Sequence, residues 1–203
     1  MIKALVFDFG NVFINLDLEG AEKFALEKFK IRSLPKDLLA FNNLYEQGLI
    51  DTNEFLNAYS VNFPNLSKDN LITIWNFMLK DFPKHRLNFI KKLKSDSKYK
   101  LILLSNTNDM HISWIKQNVP FFNDFKDSFD AFYLSHEINL TKPDPEIFKF
   151  VLKENHLKPN ECLFIDDNAH NIESANQLGF YTWHIDPKTE DVSTLFERKK
   201  NLF

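Results

Sequence analysis

The amino-acid sequence predicts an α/β protein: a Rossmann-like, doubly wound parallel sheet in three α/β/α layers, interrupted by a small α-helical insertion. Three observations carry this expectation. Short apolar runs recur and end in polar residues, amphipathic stretches separate them, and residues 17–82 break the alternation.

Residues 3–8 run apolar from Lys3 into Asp8, as a central strand buried on both faces does. The pattern returns at residues 100–104, leading into Ser105 and Asn106, and at 130–134, leading into Ser135. It returns again at 162–165, before Asp166 and Asp167, and at 181–185, before Asp186. Helical periodicity predicts helices over 83–97, 110–118, 144–155 and 168–178. Ligands of such sheets bind beyond the carboxyl ends of the strands, where each of these polar groups falls.

Residues 17–82 contain no convincing strand. Asp51 and Glu54 form a capping pair before a helix whose Phe55, Leu56, Tyr59 and Phe63 share one face. Leu71, Ile72, Trp75, Met78 and Leu79 form a second stripe, and Gly48 ends the preceding helix. Such stripes read first as packing within the insertion. The expected organisation is a core of residues 1–16 and 83–203 carrying a cap of residues 17–82, with hinges near 15–17 and 81–84. A length of 203 residues suits one core with a lid better than two domains of typical size.

Composition narrows the function classes. A formal net charge of -3 supplies no global positive field to hold a nucleic-acid backbone, so no nucleic-acid partner is expected. The single cysteine, Cys162, can form neither an internal disulfide nor a zinc knuckle, which fits a reducing compartment. The apolar run near the start is broken by Asp8 and Asn11, and no stretch approaches bilayer length. The expected location is cytoplasmic, with no membrane partner; the sequence sets no oligomeric state. The 22 phenylalanines are expected to fill the core.

The polar groups at the strand ends carry the chemistry. Asp8, followed by Phe9, Gly10, Asn11 and Val12, can attack phosphorus or bind a cation, although an Asp there commonly only caps a turn. Ser105 and Asn106 offer a hydroxyl and successive amides to phosphate oxygens; alone, such residues usually start a loop or cap a helix. Lys142 precedes Pro143, Asp144 and Pro145, a helix-start signal that sets its charge beside a helix N-terminus. Asp166 and Asp167 repel one another unless a cation compensates them, and Mg2+ is the natural one for a set of oxygen ligands.

In order and position, Asp8, Ser105, Lys142 and the Asp166–Asp167 pair resemble the four motifs of the haloacid dehalogenase superfamily. The resemblance covers essentially the whole chain, and the gap between the first two motifs fits that superfamily's type-one helical cap. The strings from Asp8 to Val12, from Ser105 to Asn108 and from Asp166 to Asn168 are similar to one branch in particular. That branch holds the bacterial sugar-phosphate phosphatases, including glucose-1-phosphate phosphatases, and the N-terminal phosphatase domain of epoxide hydrolases.

The resemblance implies a magnesium-dependent hydrolase of small phosphomonoesters, a sugar phosphate by branch, acting through an aspartyl-phosphate on Asp8. Lys142 would share the catalytic work and, with Ser105 and Asn106, hold the phosphate. Asp8, the Gly10 carbonyl and Asp167 would hold the metal, with Asp166 nearby or acting through water. Two positions depart from the pattern. Gly10 stands where most of these phosphatases carry a second Asp as general acid and base, and Asn171 where another acidic residue is frequent. The missing proton relay would come from a cap residue, from Asp17, or be made unnecessary by the leaving group. A 2-haloacid dehalogenase-like hydrolase, which needs no magnesium, and a catalytically weak phosphometabolite-binding protein are the alternatives. His111, His136 and His170 are expected in surface or capping roles.

Overall fold

Successive residues of a strand point to opposite faces, so a strand covered on both sides must be apolar throughout. β1 (Ala4–Phe7) meets that condition, with all four residues buried. The computed structural model, which describes residues 1–203, sets β1 at the centre of a five-stranded parallel sheet. β2 (Lys100–Ser105), β3 (Ala131–Leu134), β4 (Cys162–Asp166) and β5 (Tyr181–His184) complete the order β3-β2-β1-β4-β5. Leu5, Phe7, Leu103 and Ile165 face one apolar layer and Val6, Ile102, Leu104 and Phe164 the other. The strand order reverses beside β1, which makes the carboxyl ends of β1 and β4 the switch-point crevice of the sheet.

Four helices lie between β1 and the helix that precedes β2: α1 (Leu18–Phe29), α2 (Lys36–Glu46), α3 (Thr52–Asn62) and α4 (Lys68–Asn76). They close around an apolar cluster of their own that includes Phe29, Leu38, Phe55, Tyr59 and Leu71. The capping box of Asp51 and Glu54 is present at the start of α3. Gly48, at φ 69°, follows α2 in the left-handed region. The second predicted stripe is divided. α4 ends at Asn76, and Leu79 joins the cluster beneath the sheet with Met78 packed against it, because the chain has already turned back toward the core.

After α5 (Lys84–Asp96), strands alternate with α6 (Asp109–Asn118), α7 (Phe122–Lys126), α8 (Ser135–Ile138), α9 (Pro145–Asn155), α10 (Ala169–Gln177) and α11 (Leu195–Arg198). α7, α8 and α11 have 5, 4 and 4 residues, too few for a 3.6-residue period to show in sequence. Phenylalanine fills the core as expected; the Phe125 ring lies 4.9 Å from both Phe13 and Phe82. No helix is long and apolar enough to cross a membrane.

The two connections to the four-helix insertion run side by side. Asn15 N–H donates to Asp81 O at 2.9 Å, Lys80 N–H to Asn15 O at 3.0 Å, and Asp17 N–H to Met78 O at 2.9 Å. The return connection therefore begins at residue 78, a few residues before the expected hinge. Buried Arg86 braces it, donating to Phe13 O at 3.2 Å, Asn15 Oδ1 at 2.9 Å and Asp191 Oδ2 at 2.8 Å.

Candidate active site

Register alone brings two carboxylates together. Phe7 pairs with Ile165, and Asp8 N–H donates to Ile165 O at 2.9 Å, so one further step along the two strands sets Asp8 beside Asp166. Asp167 follows on the loop, and one carboxylate oxygen from each of Asp8, Asp166 and Asp167 lies within 4.8 Å of the others. Lys142 meets them from the segment before α9, with Nζ 2.8 Å from Asp8 Oδ1 and 2.6 Å from Asp166 Oδ2. Asp144 caps α9 by accepting from Glu146 N–H, and Pro145 opens it, so Lys142 does precede a helix N-terminus.

Three carboxylates oppose one ammonium here, and the electrostatics follow from that imbalance. Burial raises the Asp8 pKa to about 7; Lys142 opposes the shift, whereas Asp166 and Asp167 add to it. Burial also raises Asp167, against the hydrogen bond from Asn11. Burial pulls Lys142 down, but attraction to Asp166 and Asp8 outweighs it and holds the ammonium above its ordinary value. A divalent cation would balance the remaining negative charge, and an all-oxygen donor set fits magnesium better than a softer metal. Asp166 has the least capacity left for a metal. Its oxygens already accept from Lys142 Nζ, from Asn168 N–H at 2.7 Å, and from Asn171 Nδ2 at 3.2 and 3.0 Å. Asn171 thus donates to the Asp166 carboxylate where an acid would add a further negative charge.

The structure brings the other predicted residues to the same place. Gly10, Ser105 and Asn106 line a cavity of about 230 Å³ between the sheet's edge and the four helices. A Cβ on Gly10 would come within 2.7 Å of Leu16 Cδ1, so an apolar side chain occupies the space that a residue there would need. The Asn106 side chain grips the Lys142 backbone, accepting from its N–H at 2.9 Å and donating to its carbonyl at 2.8 Å. That clamp fixes where Lys142 starts, and its side chain then reaches the carboxylates.

Some functional contacts have no clear signal in sequence. Asn11, at φ 55°, donates from Nδ2 to Asp167 Oδ2 at 2.8 Å and accepts Leu16 N–H at 3.0 Å. It thereby ties the loop after β1 to Asp167, just after the end of β4. Glu46, the last residue of α2, accepts from Asn106 Nδ2 at 2.9 Å. Asp17, a candidate relay in sequence, instead caps α1 through Gly20 N–H, with Lys80 3.6 Å away.

Of the three histidines expected in surface or capping roles, His170 is exposed and His136 half-buried, whereas His111 is buried. The His111 ring bridges Asn108 Nδ2 at 3.2 Å and the Trp75 carbonyl at 3.1 Å, joining α6 to α4. Burial pushes its pKa down to about 4. An unfolded histidine titrates near pH 6.5, so between about 6.5 and 4 the unfolded chain binds a proton that the folded chain does not. Stability from this group therefore falls as pH drops through that window, by a total of about 3 kcal/mol. Urea unfolding at pH 7 and pH 4.5 checks this: His111→Gln should lose less stability than the wild type over the same interval, and equal losses would refute it.

Comparison with known proteins agrees with this architecture. A family model described as haloacid dehalogenase-like hydrolase matches residues 2–179. D-ribitol-5-phosphate phosphatase of Bacteroides thetaiotaomicron is 32% identical over 193 residues, 90% of this chain and 91% of that protein. The crystal structure of a HAD family enzyme from Bacteroides thetaiotaomicron, in a magnesium complex, is 35% identical with a TM-score of 0.85, covering 96% of this chain and 98% of that one. Bifunctional epoxide hydrolase 2 of Rattus norvegicus is 41% identical over 54 residues, 27% of this chain and 10% of that protein.

Proposed function

The chain belongs to the haloacid dehalogenase-like hydrolases and is a phosphatase, and from that premise we propose that it hydrolyses small phosphomonoesters with magnesium through an aspartyl-phosphate on Asp8. The observation that carries this reading is the buried contact of Lys142 with both Asp8 and Asp166, next to Asp167. A phosphoryl group brings negative charge to a site already rich in it, so catalysis needs neutralisation more than it needs acidity. Magnesium held by Asp8, the Gly10 carbonyl and Asp167, with Asp166 behind them, would supply that neutralisation. Asp8 attacks phosphorus in line, and Lys142, Ser105 and the Asn106 amide hold the phosphoryl oxygens as charge moves onto them.

In this proposal residues 17–82 act as a cap over a core of residues 1–16 and 83–203. The cavity between them receives the alcohol part of the substrate. Its walls include Phe9, Leu16, Met78 and Trp75. The D-ribitol-5-phosphate phosphatase relative supports a sugar or polyol phosphate as that substrate.

Phosphate release from a panel of sugar, polyol and nucleotide monophosphates, in magnesium or in EDTA, tests this. Release is expected only with magnesium and most rapidly from sugar or polyol phosphates. Chloride release from 2-chloropropionate in EDTA, with no phosphate from any ester, would assign the protein to dehalogenation.

A further inference from the structure

Phosphoester cleavage expels an alkoxide unless an acid protonates the leaving oxygen, and position 10 holds no side chain to do so. The cavity beside Gly10 is lined by three titratable groups, Tyr45, Glu46 and His111. Tyr45 Oη is engaged by Thr52 Oγ1 at 2.8 Å and by Met110 N–H at 3.1 Å. Both ring nitrogens of His111 are occupied, as described above. Glu46 is the one carboxylate among the three, and Asn106 engages only its Oε1.

Glu46 is also held firmly in place. α2 ends there, and the last carbonyls of a helix need outside donors. Ser135 Oγ donates to Glu46 O at 2.7 Å, and Asn139 Nδ2 donates to Gln47 O at 2.9 Å. Both donors belong to the core segment that follows β3, so the end of α2 is fastened over the carboxyl edge of the sheet. Gly48 permits that approach, because a Cβ there would meet His136 O at 2.0 Å. Through Asn106, Glu46 shares a hydrogen-bonded chain with Lys142, whose Nζ touches Asp8.

We propose that Glu46, supplied by the helical insertion, is the general acid and base of the reaction, doing the work for which position 10 has no carboxylate. The inference rests on the phosphatase reading above. As Asp8 Oδ bonds to phosphorus and the ester P–O bond breaks, the Glu46 proton passes to the departing oxygen, giving the alcohol. The Glu46 carboxylate then takes a proton from the water that attacks the aspartyl-phosphate. The Asp8–phosphorus bond breaks, inorganic phosphate leaves, and both residues return to their starting states. Burial raises the Glu46 pKa above its ordinary value against the pull of Lys142 and Asn106, as suits a group that must carry a proton.

The test compares kcat/KM of wild type and Glu46→Gln on phenyl phosphate and p-nitrophenyl phosphate with magnesium. Neither ester carries a hydroxyl for Glu46 to bind, and they differ chiefly in how much the leaving oxygen needs a proton. Glutamine can still accept from Asn106, so the clamp on Lys142 survives the change. General acid catalysis predicts a loss of about a hundredfold or more on phenyl phosphate and of less than about tenfold on p-nitrophenyl phosphate. Retained cleavage of the second ester shows that the variant is folded. Equal losses on both esters, or no loss on either, would overturn the assignment while leaving the phosphatase reading intact. A wild type inert toward every ester would overturn that reading itself.

Discussion

Asp8→Asn is expected to reduce magnesium-dependent phosphate release by about ten-thousandfold or more, since removing a nucleophile removes the covalent route and not merely part of its stabilisation. The amide can still accept from Lys142 through Oδ1, so the fold should survive. Stability should even rise in metal-free protein above pH 7. Folding raises the Asp8 pKa to about 7, so the folded state holds a proton that the unfolded state has already released. Wild-type stability therefore falls as pH rises from about 4 to 7, and the asparagine variant escapes that loss. A phosphate assay with thermal unfolding at pH 8 in EDTA reads both effects. An active variant would remove Asp8 as the nucleophile, and an inactive but unfolded one would show that the carboxylate is needed for structure.

Lys142→Met should carry the larger structural cost. The lysine side chain is 1% exposed, and Asp166, which it contacts at 2.6 Å, is 0% exposed. Methionine matches its length but leaves the three clustered carboxylates without the ammonium. Breaking a buried pair by removing one partner typically costs about 3–5 kcal/mol, because the remaining charge is stranded. The cost should be greatest above pH 7, where Asp8 is ionised, and should shrink as acid neutralises the cluster. Activity should also fall by about a hundredfold to a thousandfold, as when one donor to transition-state charge is lost. Urea unfolding at pH 8 and pH 5, with phosphate assays, checks this. A variant as stable as the wild type at both pH values would mean that the buried ammonium is not what holds the carboxylates together.

The fold and most of the candidate site are legible in sequence because their determinants are local. Strand ends can be counted, and once the strands are parallel and in register, Asp8 and Asp166 must be neighbours. The helix-start signal of Pro143, Asp144 and Pro145 likewise sets Lys142 just before α9 without reference to distant contacts. The Asn106 clamp is different, because it depends on two loops meeting and on an amide choosing the Lys142 backbone.

The insertion shows where local reasoning stops. Its helices and their caps follow from periodicity and from Asp51, Glu54 and Gly48, yet Glu46 reads in sequence as one more charged residue at a helix end. Only the docking of α2 on Ser135 and Asn139 turns it toward Asn106. His111 and Asp17 exchange their expected characters for the same reason, one buried in a bridge between α6 and α4, the other committed to a helix cap. By itself the sequence determined the α/β alternation, the strand-end carboxylates and the absence of an acid at position 10. The tertiary structure decided which side chains of the insertion line the cavity at the sheet's carboxyl edge, because that direction is set by non-local packing and hydrogen bonds that no short stretch of chain encodes.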